Sequence, residues 1–166
     1  MTLFNIHKYQ LPSLSDVNMK MTKKNFETFM TAYGAAREKV GESRLPKISQ
    51  PFGAKSAAMH REQASDAEKF LIAKEQFMPE YRELHSIFGL GYLAISNPLR
   101  QGGTERRREI FMLRYVYGIG VQEISERTYL GKTAIVEECQ QGFLQFCHAT
   151  ELIAYSKESK PLVNAD

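Results

Sequence analysis

The chain has 166 residues, 43% hydrophobic and 25% charged, with 22 Lys and Arg against 19 Asp and Glu for a formal net charge of +3. Those values describe a soluble globular protein of one domain or two small ones. They exclude a membrane-spanning helix, because no apolar run approaches the ~20 residues one needs.

The opening "MTLFNIHKYQ" lacks the basic-then-apolar pattern of a secretory signal, so a cytoplasmic location is expected. From Met1 to Glu62 ten bases stand against five acids, so this segment nets +5 and the rest −2. Such asymmetry can mark a polyanion-binding arm, and a solvated basic surface explains it equally well.

In "MTKKNFETFMTAYGAAREKVGE", Thr22 is the expected N-cap, and Phe26, Phe29, Met30 and Tyr33 recur at helical spacing. This gives an N-terminal basic helical segment over 1–40. Pro46, Pro51 and Gly53 among small and polar residues predict a linker over 41–60. Helical spacing returns over 61–98, with Phe70, Leu71, Phe77, Leu84, Ile87, Phe88 and Tyr92 on one broad face, a surface suited to self-association. Pro79 should break this stretch, and Pro98 should close it. After the loop "NPLRQGG", Thr104 is the expected cap of a helix ending at Gly118. Residues 156–166 read as a flexible tail. No stretch alternates long enough for a sheet, so the expected fold class is all-α.

The segment "GVQEISERTYLGKTAIVEECQQGF", Gly120 to Phe143, has the outline of a helix-turn-helix inside a 104–155 domain. Its motif core is Ile110, Leu113, Ile124, Ser125, Leu130, Ile135, Cys139 and Phe143, with Phe146 on the same inward face. Ser125 is small enough for the second helix to cross, Gly142 allows close approach, and Glu123 is placed to act as a capping-box acid. Lys132, Thr133, Val136, Glu137, Gln140 and Gln141 are left outward and are the candidate DNA base-reading residues, because Gln can pair with adenine and Glu can accept from cytosine. Candidate phosphate contacts are Arg106, Arg107, Arg108, Arg127 and Lys132, with Arg100 nearby. Arg106 to Arg108 span about 200° of helix, so at most two can face one duplex. Arg114 is expected to pair with a neighbouring acid. Glu137 and Glu138 read as outward acids that move affinity away from the second helix.

The stretch "REIFMLRYVYGIGVQEIS" resembles the C-terminal DNA-binding domain of bacterial sigma factors, through Ile110, Leu113, Arg114, Tyr115, a glycine-containing turn, Ile124 and Ser125. The order of parts from Thr22 to Ile153 ("KKNFETFMTAYG", "LPKIS", a long middle helix, a sigma-like unit) resembles the ArpU family of phage-encoded transcriptional regulators. That resemblance implies a regulator of phage late genes in the bacterial cytoplasm, binding double-stranded promoter DNA beside host RNA polymerase. The chain departs from the family at Tyr129, where the turn usually carries Gly, and in "TAIVEECQQ", where basic and aromatic residues are usual.

His7, His60, His85 and His148 are scattered, and Cys147 beside His148 has no partners at metal-ligand spacing, so no metal is expected. Cys139 and Cys147 lie in one predicted helix, where a disulfide would be strained, and read as free thiols. "GLG" at Gly89–Gly91 and "GIG" at Gly118–Gly120 fall short of a phosphate loop. No nucleophile has a base and an orienting group, so neither an enzyme nor a cofactor is expected. A homo-oligomeric DNA-binding regulator is the leading expectation. A protein-binding adaptor on polymerase or sigma factor and a small DNA-packaging (terminase) recognition subunit are the alternatives.

Overall fold

Asn18 starts the first long helix by accepting a hydrogen bond from Met21 N at 3.1 Å on its side-chain oxygen. This is the N-cap geometry that satisfies one orphan amide. The computed structural model describes residues 6–47 and 64–156. They are all-α: α1 (Ile6–Tyr9), α2 (Met19–Lys39), α3 (Ala64–Ala94), α4 (Gly103–Phe111), a π-helical turn (Met112–Val116), α5 (Val121–Thr128) and α6 (Lys132–Ala149). No helix among the described residues is long and apolar enough to cross a membrane.

Thr22, the expected cap, lies one turn inside α2 and is buried. Its hydroxyl donates to Asn18 O at 2.9 Å and accepts from Ala154 N at 3.0 Å. Val17 and Tyr155 form an isolated antiparallel bridge beside it. The start of α2 and the chain beyond α6 therefore hold each other. Of the expected tail, Ser156 donates to Asp16 O, and 157–166 lie outside the described residues.

The apolar stripe of α2 buries against the protein's own core. Phe26, Phe29 and Tyr33 pack with Phe88 and Ile95 from the α3 side, and with Phe111, Met112, Val116, Phe143, Phe146 and Cys147. Phe26 alone meets the rings of Phe143 at 5.4 Å, Phe146 at 5.5 Å and Phe111 at 6.0 Å, all edge-on. Each ring removed from water contributes about 1.5–3 kcal/mol. The N-terminal helix thus shares a core with the second helix of the helix-turn-helix.

The first part of the expected linker is pinned as well. Buried Arg37 donates to Ser43 O at 2.5 Å, and the Tyr117 hydroxyl donates to Pro46 O. The remainder of 41–60, from residue 48 on, lies outside the described residues.

Pro79 does not break α3, which runs unbroken from Ala64 to Ala94. The amide that proline lacks would have bonded the Glu75 carbonyl. Both residues face solvent, where water can serve that carbonyl. Leu71, expected on the buried face, is 59% exposed, while Phe77, Leu84, Ile87 and Phe88 do turn inward.

The next helix begins at Gly103, where a side chain would stand 2.7 Å from Asn97 O. Thr104 does not cap it, and its hydroxyl instead accepts from Asn97 N at 3.0 Å. α4 ends before Gly118. The wider turn at Met112–Val116 closes with Tyr117 N on Met112 O at 2.9 Å, and Gly118 then takes φ 71° in the loop. A second, smaller core joins Ile110, Leu113, Ile124, Ile135 and Cys139, with Leu130 packed against it.

Candidate nucleic-acid interface

Inward residues of α5 and α6 fix the geometry of the outward ones. Ile110, Ile124 and Ile135 are fully buried, and Leu113 and Cys139 are 5% exposed. Phe143 is buried in the adjoining aromatic core. Ser125 donates to Leu130 O at 2.6 Å across the turn. Six of the eight residues expected to form the motif core are therefore buried, and Ser125 and Leu130 are half-buried at the turn. Gly142 faces Arg107, Ile95 and Phe111, with a Cβ placed there only 3.3 Å from Arg107 Cγ.

Lys132, Thr133, Val136, Glu137, Gln140 and Gln141 are all exposed on α6. From Lys132 to Gln141 they extend over about 14 Å at ~1.5 Å per residue, a length that suits a major groove ~12 Å wide. The face carries one base, Lys132, and one acid, Glu137, and so has no net charge.

The arginines expected to supply phosphate contacts divide. Arg106 is exposed. Arg107 is turned inward, with Nε on Glu138 Oε2 at 2.5 Å and Nη1 on Ser96 O at 2.7 Å. Arg108 donates to Ile95 O and Leu93 O, each at 3.0 Å, and its guanidinium lies over the Tyr92 ring. Arg107 and Arg108 are thus removed from the phosphate set, because their donors already satisfy the carbonyls where α3 ends. Arg127 stays half exposed, held by Glu123. That pairing also corrects the reading of Glu123, whose carboxylate reaches the i+4 guanidinium. Gly120 caps α5 without a side-chain hydrogen bond. Arg114 donates to a backbone carbonyl, Ile119 O at 3.2 Å, in place of the acid expected for it.

Glu138 is likewise not an outward acid. It is 14% exposed and accepts from both Arg107 and Asn97 Nδ2. Gln145, seven residues or about two turns further along α6, accepts from Ser96 N at 3.1 Å and donates to Ser96 O at 3.0 Å. The group Ser96, Asn97, Arg107, Glu138 and Gln145 locks α6 against α4 and the 95–97 segment. Sequence reasoning missed it, although its signal was present. Glu138 follows inward Ile135 by three positions, which puts it at the edge of the buried face.

Three bases of the N-terminal third are engaged within the fold. Arg37 is 3% exposed, Arg44 pairs with Glu38 at 2.8 Å, and Lys39 lies 3.7 Å from Glu80. Lys20, Lys23 and Lys24 remain exposed at the start of α2, which is tied to residues 152–154 beyond the far end of α6.

Tyr129 stands at the C-terminal end of α5, in the turn to α6. The residue adopts φ 57° and ψ 25° there, with 95% of its surface exposed. Cys139 and Cys147 are buried free thiols, and no cluster of His, Cys, Asp or Glu among the described residues has metal-site geometry. Gly91 of "GLG" lies inside α3, and Gly118 of "GIG" in the loop before α5. Comparisons with protein-family models, with curated proteins and with solved structures found no match for this chain.

Proposed function

We propose that this protein is a DNA-binding transcription regulator of phage or prophage type, reading promoter DNA through α6. The observation that carries the reading is the burial of Ile110, Leu113, Ile124, Ile135, Cys139 and Phe143 beneath one exposed outward face, Lys132 to Gln141. The likeness of the Ile110–Ser125 stretch to the sigma-factor domain supports the promoter and RNA polymerase part. A single unit binds weakly, since Arg100, Arg106, Arg127 and Lys132 are the cations left near the face. A second copy or polymerase raises affinity through effective concentration.

Fluorescence anisotropy on duplex promoter DNA across a salt series tests it. If all four cations reach phosphates, log K falls with log salt at a slope of roughly −3 to −4. Absence of binding at low salt, with and without polymerase, defeats the proposal.

The neutral charge of the α6 face favours a second reading, an adaptor that docks on polymerase or sigma factor. Glu137→Gln separates the two. Under the first reading it strengthens DNA binding or changes base preference. Under the second it weakens association with polymerase and leaves DNA unaffected.

A further inference from the structure

The turn of the helix-turn-helix holds a residue that is both strained and exposed. Tyr129, at φ 57° and ψ 25°, lies in the left-handed region that bulky side chains enter at an energetic cost. Among the described residues the other non-glycine at positive φ is Glu151, at 58°. The two differ in what the reversal gains. At Glu151 it closes α6, with Leu152 N on Cys147 O at 2.9 Å, and sends Leu152 and Ile153 onto the aromatic core. At Tyr129 a glycine would make the same turn at lower cost. The ring is 95% exposed, so little of an aromatic surface of about 150–250 Å² is used within the fold.

Its surroundings indicate what the ring meets. Tyr129 stands two residues after half-exposed Arg127 and three before exposed Lys132. At 3.8 Å per Cα step it lies within about 11 Å of Lys132, at the end of α6 where the outward face begins. Side chains that position a protein on a duplex include tyrosine as well as Lys and Arg. A phenol has an apolar ring to pack on deoxyribose and a hydroxyl to donate to a phosphate oxygen.

We propose that Tyr129 is a DNA-backbone contact, its ring on a sugar and its hydroxyl on a phosphate, flanked by Lys132 and Arg127. This rests on the DNA-binding reading above. It gives the neutral α6 face a source of sequence-independent affinity that adds no charge. A conformation that costs stability in the unbound chain is then retained for what it contributes on DNA.

The test uses the full chain and a labelled mixed-sequence duplex of about 30 base pairs at low salt. Tyr129→Gly should raise the melting temperature by about 2–5 °C and weaken binding about 10-fold. Glu151→Gly, which relieves the same kind of strain, should raise the melting temperature and leave affinity unchanged. Tyr129→Phe should weaken binding about threefold without altering the salt slope, whereas Lys132→Ala should reduce that slope by about 1. Binding by Tyr129→Gly within twofold of the unmodified chain overturns the contact, and so does equal weakening by Tyr129→Gly and Glu151→Gly. Failure of the unmodified chain to bind overturns the DNA-binding reading itself, and the contact with it.

Discussion

Arg107 and Glu138 form an ion pair at 2.5 Å, 12% and 14% exposed, while Glu137, one residue earlier on the same helix, faces solvent. Two adjacent glutamates thus have opposite physical roles. Glu138 neutralises an arginine that is already committed to the Ser96 carbonyl. Removing one partner of such a pair leaves a charge poorly solvated, and that penalty dominates the cost. Glu138→Ala should lower unfolding free energy by about 2–4 kcal/mol, the lower end reflecting partial exposure. Glu137→Ala should stay within about 0.5 kcal/mol of the parent. Urea denaturation measures both, and equal effects would refute the division of labour.

At Gly91, α3 lies hard against Phe146 of α6. A Cβ there would lie 2.6 Å from Phe146 Cε2 and 2.7 Å from Thr150 Cγ2. Phe146 cannot move aside easily, because it is fully buried and stacks on Phe111 at 4.9 Å with Phe26 and Phe88 edge-on. Alanine is normally preferred over glycine inside a helix by about 1 kcal/mol. Overpacking should outweigh that preference here, so Gly91→Ala should destabilise by about 1–3 kcal/mol. A variant as stable as the parent would mean that the two helices can separate without loss.

These two sites show what was legible in the sequence and what was not. The all-α class and the inward set of the helix-turn-helix follow from apolar spacing alone, since Ile124, Ile135, Cys139 and Phe143 are buried wherever a 3.6-residue period puts them. The outward set follows by subtraction, and its six residues are exposed. Spacing says nothing about which helices meet. That Phe26 packs on Phe143, and that Gly91 faces Phe146, are contacts between distant segments that no local pattern encodes. The roles of charged residues are the least legible. Arg107, Arg108 and Arg37 look like surface bases in a linear sequence. Each is drawn inward by carbonyls, at Ser96, at Leu93 and Ile95, and at Ser43, that exist as acceptors only once the chain has folded. Pro79 is accommodated inside α3 for a different reason, because a hydrogen bond lost on a solvent face is replaced by water.

Burial pushes the Cys139 thiol up to about 11 and the Cys147 thiol up to about 12. The reactive species is the thiolate, and it is scarce at neutral pH in both positions. A native sample at pH 8 should therefore show neither thiol reacting rapidly with an aromatic disulfide reagent, and both should react once urea unfolds the chain. Cys139 is the more informative, since it belongs to the small core under the α6 face. Rapid modification of one thiol in the folded state would mean that this core opens readily.

His85 gives the fold a pH dependence whose direction can be worked out. Its Nδ1 lies 2.7 Å from the Tyr33 hydroxyl, which also receives a hydrogen bond from Arg37 Nη1 at 3.1 Å. Arg37 can only donate, so the hydroxyl accepts from it and has its own proton to give to a neutral imidazole. Desolvation by burial, with the Arg37 charge adding to it and Glu42 opposing, lowers the His85 pKa below 6.5. Between that lowered value and the ordinary value near 6.5, the unfolded chain binds a proton that the folded chain does not. Stability is therefore full above about pH 6.5 and declines as pH falls through the window below it, at up to about 1.4 kcal/mol per pH unit from this group. His85→Gln keeps a side-chain acceptor for the Tyr33 hydroxyl and cannot titrate. Urea unfolding of both chains at pH 7.5 and 5.5 should show the parent losing more stability on acidification than the variant. Equal losses would assign the acid sensitivity to other groups and leave the Tyr33–His85 contact without a role in it.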